Sequence, residues 1–175
     1  MNTTRKVFYT LTLFLILILL LSGCSLYNLN DFVLPDDVEF IETIKILDTP
    51  EKICFYIKEN FVYEPHIFSS PDPYTLWKTK KGDCNDTATF AQFVADYHSY
   101  DTYQIRIYFK STFISHIMAV FKEDGKYTYL NIKAYYPINV DTFEKIVFHF
   151  FSFPCEYKLD YYEIYDYDMN LIEKI

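Results

Sequence analysis

Hydrophobic and polar positions along the chain follow three successive patterns: an apolar run broken only by Thr12, then helical spacing, then alternation. The run extends from Leu11 to Leu21, behind Arg5 and Lys6. After it, Asn28, Asn30, Asp31, Pro35, Asp36 and Asp37 make a polar stretch without sustained periodicity, which predicts a spacer to about Val38 and a folded domain from near Phe40. Thr49 stands as an N-cap, Pro50 at the first helical position and Glu51 beside the positive end of the helix dipole, while Ile53, Tyr56, Ile57 and Phe61 share a face. These positions predict a helix that ends before Pro65. From Pro65 to Pro73 turn formers dominate, and the segment is either the wall of a cleft or a plain surface connection. Tyr74-Thr75-Leu76-Trp77 leads on to Gly82, which lets the chain turn, and Asp83, a good N-cap; Ala88, Ala91, Val94 and Ala95 then recur at helical spacing. A second helix is expected here, with Cys84 in its first turn.

Beyond that helix the period changes to two. Tyr103, Ile105, Ile107 and Phe109 alternate with Gln104, Arg106 and Lys110, predicting a strand. Further strands are expected from about Ser115 to Lys122 and from Lys126 to Ile132, joined antiparallel by Glu123-Asp124-Gly125. Asp141-Thr142-Phe143-Glu144 opens a short amphipathic helix, and the tail from Glu156 to Tyr167 mixes tyrosine and acid as an edge strand with a polar face does. Helices followed by antiparallel strands define an α+β fold class. There is no internal repeat.

The apolar run changes the picture of the first two dozen residues. Basic residues ahead of it make a signal-peptide pattern, and it closes with Leu21-Ser22-Gly23-Cys24, which resembles a bacterial lipobox whose cysteine is acylated. A transmembrane anchor is the alternative, but the core from Val7 to Leu21 is shorter than the ~20 apolar residues of a spanning helix. The expected organisation is a signal peptide over residues 1–23, a lipidated Cys24 with a tether over 24–39, and one domain over 40–175. Such a protein belongs to the cell envelope, lipid-anchored to a bacterial membrane with its domain outside the cytoplasm.

About 150 residues after Cys24 suffice for one domain with a real core. The 18 Tyr and 17 Phe against 3 Gly fit a packed chain rather than a disordered one. A net charge of −8 argues against nucleic acid as a partner and gives no attraction to an anionic membrane surface, so the acyl group must supply the membrane contact. Outside the cytoplasm disulfides can persist. Setting Cys24 aside leaves Cys54, Cys84 and Cys155, an odd number, so at least one thiol is free. Either Cys54 pairs with Cys155, or both are reduced core residues.

The chemistry centres on Cys84. A helix N-terminus and a nearby imidazolium both lower a thiol pKa, and His116 on a later strand can supply the second; the alternative is a cysteine that is simply a small buried hydrophobe. His116, near the start of one strand, and Asn131, near the end of the next, are expected roughly opposite each other on strands ~4.8 Å apart. An amide there can fix the imidazole and leave its other nitrogen for the thiol, giving a Cys84, His116, Asn131 triad. Asp83 and Asp86 are expected as cap and dipole complement. His66, His98 and His149 stand apart, without zinc-ligand spacing, so no metal and no cofactor is expected. Lys78, Lys80 and Lys81 are expected to form a solvated face.

Gly82-Asp83-Cys84-Asn85-Asp86, the strand Ser115-His116-Ile117-Met118-Ala119-Val120 and the Asp-Gly hairpin ending in Tyr129-Leu130-Asn131 together resemble the bacterial transglutaminase-like superfamily, over roughly residues 49–136. The resemblance implies a papain-like core with the nucleophile helix packed on an antiparallel sheet, Cys84 as nucleophile and His116 as base. It implies a cysteine peptidase, amidase or acyltransferase acting on a protein or peptide substrate. The chain departs from the superfamily at Asn131, where aspartate is usual, and at Met118, where a tryptophan after the histidine is common. An inactive relative kept as a binding or scaffolding module is the alternative function.

Overall fold

The computed structural model describes residues 29–66 and 70–175; the signal-peptide pattern, Cys24 and Ser69 lie outside the described residues. Strand alternation sorts the buried side chains onto two faces of one sheet. Its strands are β3 (Asp101–Phe109), β4 (Ser115–Glu123), β5 (Lys126–Asn131), β6 (Ala134–Val140), β7 (Leu159–Tyr165) and β8 (Leu171–Lys174), in spatial order β6-β5-β4-β3-β7-β8. Every neighbouring pair is antiparallel. On β4, Ile117, Ala119 and Phe121 point to one core while Met118 and Val120 point to the other, as a period of two requires.

The helices preceding the sheet, α1 (Val38–Ile46), α2 (Pro50–Asn60), α3 (Pro73–Thr79) and α4 (Cys84–Tyr97), build the first core. Buried Phe90, Ala91, Val94 and Ala95 show how far α4 is enclosed between the sheet and the other helices. The second core lies under α5 (Phe143–Phe151), whose Ile146 and Val147 pack with Ile105, Ile107, Met118 and Val120. The molecule is therefore α+β, with helices on both faces of an antiparallel sheet. No helix of the described residues is long and apolar enough to cross a membrane.

Local chemistry accounts for the helix starts. Thr49 caps α2 by accepting from the Lys52 N–H, with Pro50 in the first turn, and Thr142 caps α5 through the Lys145 N–H. Asp124 (φ 51°) and Gly125 (φ 77°) both adopt the left-handed conformation that a tight two-residue hairpin turn demands between β4 and β5.

Packing begins ahead of Phe40. Leu29 is buried, the Phe32 ring meets Phe93 edge-on at 4.9 Å, and Asp37 caps α1 while accepting from the Tyr74 hydroxyl at 2.6 Å. The helix α2 ends at Asn60, and a short parallel pair follows, β1 (Val62–Tyr63) with β2 (Lys81–Gly82). The tail does not form an edge strand: β7 lies between β3 and β8.

Candidate active site

Asp83 and Asp86 build the turn that presents Cys84. The Asp83 carboxylate accepts from the Asn85 and Asp86 N–H groups, and Asp86 reaches back to the Asp83 N–H at 2.8 Å, a complete capping box. His66 Nε2 lies 2.5 Å from the wholly buried Asp86 Oδ2 and 3.8 Å from Asp83 Oδ2. Gly82 is needed for space rather than for turning: a Cβ there would stand 2.6 Å from Asp86 Oδ2 and 2.8 Å from Leu76 Cδ1.

His116 Nε2 and Asn131 Oδ1 are 2.7 Å apart. Because an amide oxygen only accepts, Nε2 carries the proton and donates, leaving Nδ1 with its lone pair. The two residues, expected roughly opposite each other, sit one diagonal apart. The β4–β5 ladder ends at Ala119↔Leu130, and one further rung would set Met118 across from Asn131; His116 meets Asn131 on the diagonal, where long side chains on the same face still touch. Phe150 of α5 stacks on the imidazole with centroids 5.4 Å apart and planes 18° from parallel. Met118 is buried in the core under α5, so the aromatic wall comes from that helix instead.

Cys84, His116 and Asn131 line one cleft of about 300 Å³. Phe109, Ile114, Ile132, Phe150 and Tyr157 supply its apolar walls, with Tyr63, Ser115 and Cys155 also at its surface. None of the described residues of the 65–73 loop lines it; His66 and Ser70 from that loop instead bond to Asp86 and Asn85.

Burial opposes the lowering of the thiol pKa that a helix N-terminus and a nearby imidazolium would give. Burial pushes the Cys84 thiol up to about 11, against the lowering effect of the Ile117 N–H, and the Asp83 carboxylate raises it further. Burial lowers His116, and the hydrogen bond to Asn131 offsets only part of this. Desolvation is the largest effect, and the cap that orients the turn adds to it by putting an anion beside the sulfur. Burial therefore favours the uncharged forms of both groups.

The cysteines are all free among the described residues. Cys54 is buried in the first core and Cys155 is exposed on the connection after α5, so the expected alternative of a Cys54–Cys155 disulfide is not formed, nor is Cys155 a core residue. Of the remaining histidines, His98 bonds the Ile44 carbonyl at 2.8 Å and His149 the Tyr129 hydroxyl at 2.8 Å. The donor atoms of His66, Asp83 and Asp86 lie within 4.8 Å of one another and are the residues that can hold a cation; the hydrogen bonds of the capping box already engage both carboxylates. That grouping was not legible from spacing, since His66 is 20 residues from Asp86. Lys80 does not join a solvated face: its Nζ lies 4.4 Å from the Trp77 ring centroid and 2.8 Å from the Tyr56 hydroxyl, and burial lowers it to about 8.

No protein-family model matches this chain, and no curated protein matches it.

Proposed function

We propose that this protein is a lipid-anchored thiol enzyme with a papain-like, transglutaminase-like core that acts on amide bonds in a peptide or protein, as hydrolase or acyltransferase. The observation that carries this reading is the His116–Asn131 hydrogen bond in the cleft that also exposes Cys84. The lipobox-like Leu21-Ser22-Gly23-Cys24 supports anchoring through Cys24 at a membrane surface, with the domain outside the cytoplasm.

With both groups neutral, His116 Nδ1 acts as general base: it takes the thiol proton as Sγ attacks the amide carbon. The backbone N–H of Cys84, in the first turn of α4 where helical partners are lacking, suits the developing oxyanion. Collapse breaks the C–N bond, His116 returns the proton to the leaving amine, and Cys84 holds the acyl group as a thioester. Water, deprotonated by the same imidazole, releases the acid; an amine in its place gives transamidation. Asn131 holds the imidazole plane through this exchange, while adding no charge.

Trapping the thioester tests this. The full chain in detergent, mixed with an activated peptide ester and quenched in acid, is expected to carry an acyl adduct on Cys84, seen by peptide mass spectrometry. Cys84→Ala loses it and His116→Ala slows its formation by about 10²–10⁴-fold. Equal adduct formation in wild type and His116→Ala would overturn the reading.

A second reading, a tethered binding module without turnover, draws on the high thiol pKa. It is favoured if no substrate acylates Cys84 while ligands still occupy the cleft.

A further inference from the structure

The turn beside Asn131 carries a side chain that local conformation disfavours. Asn131 and Ala134 pair across a two-residue loop, and its first residue, Ile132, has φ 56°. A β-branched residue in the left-handed region is a genuine outlier; glycine or asparagine is the usual occupant. The strain persists because the surroundings hold the turn: the Lys133 ammonium donates to the Phe61 carbonyl at the end of α2. Strain of this kind concentrates at functional sites. The Ile132 side chain lies in the wall of the Cys84 cleft.

The rest of that wall points the same way. Phe109, Ile114, Phe150 and Tyr157 face the cleft, the Phe109 and Tyr157 rings are 5.1 Å apart, and among the described residues no Asp, Glu, Lys or Arg lines it. A charged group entering would lose its hydration without a counter-charge, whereas an apolar one gains from burial. The loop before β4 continues the surface outward with fully exposed Phe113 and half-exposed Ile114, an apolar lip at the mouth. At about 300 Å³ the cleft is at the small end of ligand sites and suits one side chain with its flanking peptide unit.

Resting on the thiol-enzyme reading above, we infer that the cleft is a specificity subsite for an apolar, aromatic-sized side chain on the acyl side of the scissile amide, and that Ile132 is the residue retained to shape it. Substrates with a carboxylate or ammonium at that position are discriminated against.

The probes are three peptidyl chloromethyl ketones differing only in the side chain next to the ketone: phenylalanyl, glycyl and glutamyl. Each alkylates sulfur with loss of chloride, and the rate is read on the Cys84 peptide of the full chain in detergent, with iodoacetamide as the side-chain-free reference. The phenylalanyl reagent is expected to react at least about tenfold faster than the glycyl one, with the glutamyl reagent slowest. Ile132→Gly, and Ile132→Asn as a second variant suited to the same backbone, are expected to lose most of that preference when each rate is taken relative to iodoacetamide in the same variant, with a Tm that is equal or higher. Equal rates for the three reagents, a preference intact in both variants, or a Tm that falls in both would each overturn the inference. Failure of the underlying reading is a separate result: iodoacetamide labelling of Cys84 that is identical in His116→Ala and wild type.

Discussion

His116 and Asn131 are joined at 2.7 Å although the hairpin register, continued by one rung, would set Met118, not His116, across from the asparagine. The bond spans the diagonal between same-face positions of neighbouring strands, a reach that long side chains have. Removing the amide should therefore leave the sheet intact and misaim the base. Asn131→Ala is expected to lower the rate of Cys84 acylation by about 10²-fold with little change in Tm. Asn131→Asp introduces a carboxylate that favours imidazolium, so its thiol should alkylate at a lower apparent pKa than wild type; a profile shifted upward would contradict the geometry.

Burial of both groups predicts a stability window. His116 is lowered in the fold, so its contribution is fully present above its ordinary 6.5 and is lost as pH falls below that value. Cys84 is raised, so its contribution is present below 9.0 and is lost as pH climbs through about 11. Thermal unfolding should show wild type losing Tm relative to His116→Gln between pH 6.5 and 5, and relative to Cys84→Ala above pH 9. Parallel curves would mean that neither group is desolvated.

Gly82 has no room for a methyl group. In Gly82→Ala the new Cβ meets the buried Asp86 carboxylate and Leu76, and Asp86 is fixed by the Asp83 N–H and His66. Overpacking of this kind should cost about 1–3 kcal/mol in urea unfolding. It should also slow acylation, because the same carboxylate shapes the Cys84 turn.

Reductant should not alter the unfolding midpoint, since Cys54, Cys84 and Cys155 are free. Cys54→Ser places an unpartnered hydroxyl in the first core and is expected to cost about 1–3 kcal/mol. A Tm that drops on adding dithiothreitol would instead reveal a disulfide.

Elements whose signals are local were legible in the sequence. Thr49-Pro50, Asp83 and Thr142 each mark a helix start by satisfying specific N–H groups, and Asp124-Gly125 supplies the left-handed pair its hairpin needs. β6 was not legible, because Pro137 and Asn139 interrupt its alternation; the strand tolerates proline only because it lies at the sheet edge. α1 and α3 were hidden behind polar and proline-rich flanks, though Asp37 and Asp72 cap them. The Cys84 turn was legible, but the cleft wall was not: Phe150 and Tyr157 reach it only through tertiary folding. The direction of the thiol pKa was missed for the same reason, as desolvation is a property of the packed surroundings and spacing carries no trace of it.

Cys155 shares the cleft with Cys84 yet is exposed, on a connection outside the core. An electrophile therefore meets the more accessible sulfur first. An adduct on Cys155 would take up part of the lining it shares with His116 and Cys84, so a change at one sulfur alters the surroundings of the other without touching it.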